Sequence, residues 1–225
     1  MPKLSSVLDF VFPQNCALCL KSGFVLCDDC LQSLPPARLS CLRCGRKNPY
    51  GLYCPGCRVR FLPDRVLACF KFEGAARELI HSLKYEDITS LVHPLAWQMA
   101  SMVREMEGYD KFVLVPVPLA RKRQAFRGYN QAELICRQLS KELGLEWAGI
   151  LDRAKSSASQ VQAGSRVERR KNIKNNFVLK NDAGVPEKVF LVDDVITSGA
   201  TVEEAAKVLK RAGAKEVVCL AVALA

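Results

Sequence analysis

The stretch Val189-Phe190-Leu191-Val192-Asp193-Asp194-Val195-Ile196-Thr197-Ser198-Gly199-Ala200-Thr201 decides the fold. Its four leading apolar residues, Val189 to Val192, read as a buried strand. Two carboxylates, Asp193 and Asp194, stand at the C-terminal end of that run. The small, hydroxyl-rich turn of Thr197, Ser198, Gly199, Ala200 and Thr201 then leads into a helix. Open α/β sheets bind ligands at this edge. Backbone amides at a helix start form an anion pocket, and a glycine lets a ligand approach the backbone closely. The helix-end field contributes about 0.3–2 kcal/mol per anion, so the amides and the hydroxyls of Thr197, Ser198 and Thr201 must supply the rest. The turn lacks the Gly-Lys-[Ser/Thr] ending of a Walker A loop. Paired carboxylates would repel a bare polyphosphate but suit sugar hydroxyls, so a ligand with both a phosphate and a vicinal diol answers the motif. The plainer alternative is a helix cap beside a solvated acidic turn. It leaves the ordered sequence of strand, acidic pair and hydroxyl turn unexplained.

Strand and helix alternate on the N-terminal side of this motif and beyond it. Val66 to Phe72 reads as a strand ended by Gly74. A helical region starts near Ala75, breaks between Tyr85 and Ser90, and resumes through Glu107. Phe112 to Pro116 is a buried strand. Gln131 to Leu143 is a helix with a stripe of Ala132, Ile135, Leu139 and Leu143, stopped by Gly144. Phe177 to Leu179 is a short strand. Val202, Ala205, Ala206 and Leu209 mark a helix closed by Gly213, and Val217 to Ala223 is the last strand. The pattern predicts an α/β fold: a mostly parallel sheet flanked by helices.

The N-terminal region differs. Of eleven cysteines, eight fall before position 58, as the Cys-x-x-Cys pairs Cys16/Cys19, Cys27/Cys30, Cys41/Cys44 and Cys54/Cys57. A two-residue spacer lets both thiolates of a tight turn face one tetrahedral metal, and two such knuckles complete a four-sulfur zinc site. Eight ligands suit two structural zinc ions. About 60 residues bury little core, and folds of that size often rely on metal or disulfides. Disulfides need an oxidising compartment, and a redox site needs only one pair. Sequential ligand use keeps each loop short; a crossed arrangement is also open. Cys69, Cys136 and Cys219 sit in apolar contexts and read as core. The proline-bearing stretch Arg60 to Asp64 divides the chain into a cysteine-rich domain, 1–62, and an α/β domain, 63–225.

Lys and Arg number 33 against 23 Asp and Glu, a net +10. Such a surface attracts phosphates, on nucleic acid or on a small ligand, or simply aids solubility. With 49% hydrophobic and 25% charged residues the chain reads as soluble and globular. No apolar run is long enough to span a membrane, and the N-terminus is a poor signal peptide, so a cytoplasmic location is expected. Positive charge concentrates at Arg121, Lys122, Arg123 and Arg127, and again from Arg153 and Lys155 to Arg166, Arg169, Arg170, Lys171 and Lys174. The second region is long and polar, as a lid or binding loop would be. Neither cluster shows a clear aromatic stacking platform. His81 reads as partly buried, and Trp97 and Trp147 as core.

The thirteen-residue motif resembles the signature with which type I phosphoribosyltransferases bind 5-phosphoribosyl 1-diphosphate (PRPP). The whole chain is similar to the ComF family of competence-associated proteins, which place a cysteine-rich zinc module before such a domain. The closer resemblance is carried by Phe10-Val11-Phe12-Pro13, His81-Ser82-Leu83-Lys84-Tyr85, Val115-Pro116-Val117-Pro118-Leu119, Arg127-Gly128-Tyr129-Asn130-Gln131-Ala132 and the region from Ser159-Gln160 to Arg170-Lys171-Asn172. The leucine that the family places a few residues after Ser-Gln is replaced here by Val161-Gln162-Ala163-Gly164.

The resemblance implies that Asp193 and Asp194 hold the ribose hydroxyls, one of them stabilising positive charge near the anomeric carbon. It implies that Thr197, Ser198, Gly199, Ala200 and Thr201 cradle the 5-phosphate. Val117, Pro118, Leu119 and Arg121 would form the pyrophosphate loop, with Arg127, Lys84 and Tyr85 beside it. Gln160, Arg169, Arg170 and Lys171 would belong to a basic lid. Magnesium would arrive with PRPP. A nitrogen acceptor would displace pyrophosphate with inversion. The alternatives are a single-stranded DNA-handling protein of DNA uptake using PRPP as ligand or regulator, and a PRPP sensor without turnover. Competence or DNA-uptake proteins are the implied macromolecular partners; a homo-oligomer is left open.

Overall fold

A computed structural model describes residues 15–86, 88–154, 176–180 and 183–225. In chain order it contains helix α1 (Asp28–Ser33), strand β1 (Arg65–Lys71), helices α2 (Gly74–Tyr85) and α3 (Val92–Arg104), strand β2 (Val113–Pro116), and helices α4 (Arg121–Arg127) and α5 (Gln131–Leu143). The short strands β3 (Leu151–Arg153) and β4 (Phe177–Leu179) follow, then β5 (Lys188–Ile196), α6 (Ala200–Arg211) and β6 (Glu216–Leu224). The main sheet has the order β1-β6-β5-β2, with every pairing parallel. Strands β3 and β4 form a separate antiparallel pair.

This is the architecture that the alternation predicts. Side chains of successive strand residues point to opposite faces. On one face Leu114, Phe190, Val192, Val218 and Leu220 meet Leu79 and Leu83 of α2, Met99 and Val103 of α3, and Ile135 and Leu139 of α5. On the other, Val115, Leu191, Val217 and Cys219 meet Val202, Ala205 and Leu209 of α6. Phe112 and Phe190 stack with ring centroids 4.1 Å apart. Helix α5 starts where Asn130 caps it, its side chain accepting from the Ala132 amide at 3.2 Å.

Strand β5 runs past Val192 to Ile196, because Asp193, Val195 and Ile196 still pair with Ala221, Ala223 and Leu224 of β6. The acidic pair therefore lies on the strand itself. Cys136 and Cys219 are buried as expected, with Cys69 partly buried against the core. Trp97 is not core: it is 40% exposed on α3. The imidazole of His81 is likewise largely exposed. Trp147 is partly buried, under the Arg137 guanidinium at 4.6 Å.

The cysteine-rich segment straps across the β1 edge of the sheet. The Ala37 amide donates to the Cys69 carbonyl at 3.0 Å, Lys71 to Pro35 at 2.8 Å and Val66 to Gly51 at 2.9 Å. Such cover blunts an edge that would otherwise pair with another chain. Gly51 has φ 66, and a Cβ there would lie 2.0 Å from the Val66 carbonyl oxygen, so only glycine allows this approach. Asp64 clips the segment to β6, donating its amide to the Val217 carbonyl and accepting the Val217 amide, each at 2.8 Å. Among the described residues no helix is long and apolar enough to cross a membrane.

Candidate functional site

The cysteine pairs gather sequentially. The sulfurs of Cys16, Cys19, Cys27 and Cys30 lie within 4.8 Å of one another, as do those of Cys41, Cys44 and Cys57. Cys54 joins the second group from one side, its Sγ 3.7 Å from that of Cys44. Burial pushes the Cys16 thiol up, but backbone amides of Cys19, Cys27 and Leu18 outweigh it and hold it at about 6. Cys41 sits at about 6 for the same reason, against amides of Cys54, Cys44 and Arg43. Amides aimed at sulfur favour the thiolate, which is the form that ligates metal. All-sulfur sets of this size fit tetrahedral zinc.

The acidic pair stands at the opposite end of the sheet's strands from their amino termini, and its two members look to different faces. Asp194 meets Lys84 from the last turn of α2, Nζ to Oδ1 2.8 Å. Asp193 shares its surroundings with Arg153 of β3, whose Nε donates to the Pro118 carbonyl at 3.1 Å and whose guanidinium lies 4.4 Å over Phe177. Burial pushes the Asp193 carboxyl up to about 7, with the Asp194 charge adding to it; Lys84, the Asp194 amide and Arg153 pull the other way. Burial also lowers the Arg153 pKa, which Asp193 offsets.

Behind the pair, Thr197 to Val202 line a small concavity with Asp193. Gly199 has φ 75 and caps α6, whose first hydrogen bond runs from the Glu203 amide to the Gly199 carbonyl at 2.9 Å. Helix geometry turns the preceding amides outward, toward an anion. A larger cavity of about 380 Å³ lies along α6, lined among others by Arg43, Phe61, Glu203 and Arg211. It carries none of the acidic pair.

The loop after β2 borders the site. The Val117 amide donates to the Val192 carbonyl at 2.9 Å, and Asn130 Nδ2 donates to the Val117 carbonyl at 3.0 Å. Val117 and Pro118 thus sit beside β5, and Leu119 follows them. Arg121 turns away to Asp152 at 3.5 Å. Arg127 lies 4.6 Å over the Tyr85 ring, which in turn meets His81 at 4.7 Å. Tyr129 Oη donates to the Leu83 carbonyl at 2.8 Å, tying this corner to α2. Gln160, Arg169, Arg170 and Lys171 lie outside the described residues.

Arg153 and Gln131 are the members of this neighbourhood that the sequence did not single out for the site. Arg153 reads there only as one charge in a basic run. Gln131 is 1% exposed; its Oε1 accepts from Arg127 at 3.1 Å, while its Nε2 has no partner among the described residues. No spacing rule marks Arg153, which reaches the site through tertiary packing, whereas Gln131 lies in the Arg127-to-Ala132 stretch and meets Arg127 four residues before it.

Two sulfur clusters of a double zinc ribbon, fused to this sheet, define a phosphoribosyltransferase-type protein with a zinc module. Residues 7–58 match the model for the double zinc ribbon domain, and 130–225 that for the phosphoribosyl transferase domain. The DNA utilization protein YhgH of Salmonella typhimurium is 32% identical over 90% of this chain and 85% of its own. Competence protein F of Haemophilus influenzae is 32% identical over 85% of this chain and 87% of its own. Competence protein ComFC of Streptococcus pneumoniae is 27% identical over 85% and 84%. The chain belongs to the ComF family.

Proposed function

We propose that the chain binds PRPP, with magnesium, at the end of β5 and transfers its phosphoribosyl group to a nitrogen acceptor. The observation that carries this reading is an acidic pair, Asp194 joined to Lys84 and Asp193 in the field of Lys84 and Arg153, directly before an amide-rich turn at the start of α6. Lys84 and Arg153 answer the objection that paired carboxylates repel a polyphosphate: their charges offset the pair. Asp193 and Asp194 accept the ribose hydroxyls, and the turn from Thr197 to Thr201 takes the 5-phosphate. Magnesium prefers ligand oxygens and water over an all-protein cage, and when bound it neutralises the pyrophosphate. Val117, Pro118 and Leu119 border the leaving group. The nitrogen lone pair forms the bond to the anomeric carbon while the carbon–oxygen bond breaks and its electrons leave on pyrophosphate; the nitrogen proton passes to solvent. Fixed negative charge beside the anomeric carbon stabilises the cationic transition state. Division near residue 62 and residence in the cytoplasm belong to the same reading.

Calorimetry with PRPP and magnesium, followed by a pyrophosphate-release screen across nitrogenous acceptors, tests it. The double variant Asp193→Asn, Asp194→Asn is expected to stay folded and lose binding. Undiminished binding by that variant rejects the assignment.

A second reading rests on α4. Phe126 is 83% exposed there, with Arg121, Lys122 and Arg123 exposed beside it. An exposed ring beside these charges supports a stacking contact that the basic clusters do not announce in the sequence. Relatives carry the names DNA utilization protein and competence protein. A single strand would stack on Phe126 with its phosphates on the arginines, so Phe126→Ala is expected to weaken binding without altering the salt slope, and Arg123→Ala to flatten it by about one unit. Unchanged affinity in both variants rejects this surface.

A further inference from the structure

Leu42 belongs to the Cys41-x-x-Cys44 knuckle yet packs on the phosphate turn. It is 8% exposed, and its Cδ1, Cβ and Cγ lie 2.5, 3.2 and 3.3 Å from where a Cβ on Gly199 would stand. The space that a side chain would take at the turn is filled from the zinc ribbon. The sequence assigned the glycine to close approach by a ligand; the structure gives it a protein neighbour as well. Two further ribbon residues grip the same helix start. Arg43 Nε is 3.6 Å from Glu203 Oε1, and Tyr53 Oη donates to that oxygen at 3.2 Å. The Glu203 amide closes the circuit on the Gly199 carbonyl. Leu42 has little freedom of its own: the Cys41 amide donates to the Arg46 carbonyl at 2.9 Å, and the Gly45 amide to the Cys41 carbonyl at 2.8 Å.

We propose that Leu42 is a positioning residue for the phosphate turn. The knuckle presses its side chain against Gly199 and holds the left-handed bend, so the amides that follow stay aimed at one point. The inference rests on the reading of Thr197 to Thr201 as the 5-phosphate pocket. An amide pocket binds tightly when its geometry exists before the ligand arrives, because ordering it on binding subtracts from affinity. Loosening the contact therefore weakens the terminal phosphate. It spares pyrophosphate, whose loop at Val117 to Leu119 is held instead by Val192, Asn130 and Arg153.

The test uses the zinc-loaded full chain with ribose 5-phosphate and, separately, pyrophosphate with magnesium, titrated by calorimetry against wild type, Leu42→Ala and Leu42→Met. Leu42→Ala is expected to weaken ribose 5-phosphate roughly five-fold or more, the low end of couplings between linked sites. Pyrophosphate affinity should hold, and Leu42→Met should restore most of the loss. A parallel fall for both ligands reports general damage and overturns the proposal, as does wild-type affinity in Leu42→Ala. Failure of wild type to bind ribose 5-phosphate removes the phosphate pocket itself, and this role with it. Binding by wild type that Leu42→Ala leaves intact removes only the role of Leu42.

Discussion

Lys84 Nζ stands 2.8 Å from Asp194 Oδ1, with 20% and 12% of the two side chains exposed, so the last turn of α2 is joined to β5 by an ion pair that water screens only in part. Removing one partner of a buried pair costs about 3–5 kcal/mol because the other charge is left stranded. The remaining exposure lowers this, and Lys84→Met is expected to destabilise the chain by about 1–3 kcal/mol at pH 7. Lys84 also holds the Asp193 pKa down. Its loss should push that carboxyl further up and move the pH profile of ligand binding to higher pH. Urea midpoints and affinity measured between pH 6 and 9 check both effects, because Asp193 titrates inside that window and its further rise carries it upward through it. An unshifted profile rejects the coupling.

Asp193 gives stability an unusual slope. Burial, then Asp194, lift its pKa in the fold from 3.8 to about 7. Between those values the folded chain keeps a proton that the unfolded chain has lost. Stability from this group is present in full below about pH 4, falls as pH rises to about 7, and is level above. Asp193→Asn removes the penalty. The variant should match wild type near pH 4 and exceed it by about 1–2 kcal/mol at pH 8; the residue retains some solvent contact, so the figure is below the full conversion of about 1.4 kcal/mol per unit. Denaturant midpoints across pH check this. A gap that widens toward acid contradicts it.

Position along the chain decided what was readable. The β5–α6 motif is legible because its chemistry is contiguous: strand, acidic pair and turn follow one another from Val189 to Thr201. The cysteine knuckles are legible because ligand geometry imposes a two-residue spacing. The helices with an apolar stripe, α5 and α6, announce themselves by period. Helix α4 has no buried residue and so no stripe to read. Lys84 is legible near the site only by resemblance, and Arg153 only as one charge of a basic run, because their partners lie far along the chain. The extension of β5 to Ile196 depends on its pairing with β6, which no local pattern encodes.

Gly51 is where the ribbon backbone comes nearest to the sheet. A Cβ would lie 2.0 Å from the Val66 carbonyl oxygen and 2.9 Å from its carbon, and φ is 66. Backbone cannot rotate out of the way as a side chain can, and the left-handed conformation adds about 1–2 kcal/mol for any other residue. Gly51→Ala must break the hydrogen bond from the Val66 amide to the Gly51 carbonyl. The expected loss is about 3 kcal/mol or more, in the range of strain and lost contacts together, read as a lower denaturation midpoint. Gly23, with φ 89 and open space around it, is the control: Gly23→Ala should cost only its backbone strain. Equal effects at the two positions reject the close approach as the cause.

Zinc removal tests whether the ribbon is an appendage or part of the core. Cys16 and Cys27 are buried with Leu26, Leu31 and Leu34 against the α2 and α3 face, whereas Cys41 is buried with Leu42, Tyr53 and Leu62 against the α6 face. The two metal sites therefore brace opposite sides of one sheet, and the chain between them covers its β1 edge. Structural zinc contributes about 10–16 kcal/mol in finger peptides, as much as the whole net stability of an ordinary domain, about 5–15 kcal/mol. An independent ribbon would melt alone under a chelator and leave the second domain's transition where it was. Shared cores instead predict that chelation lowers a single cooperative transition of the whole chain, and that residues 63–225 expressed alone aggregate through the uncovered edge of β1. Calorimetric scans with and without chelator, with released zinc counted by a colorimetric dye, separate the two. A metal-free chain that keeps its transition temperature would refute the shared core, since the same leucines cannot both complete the sheet's packing and be dispensable to it.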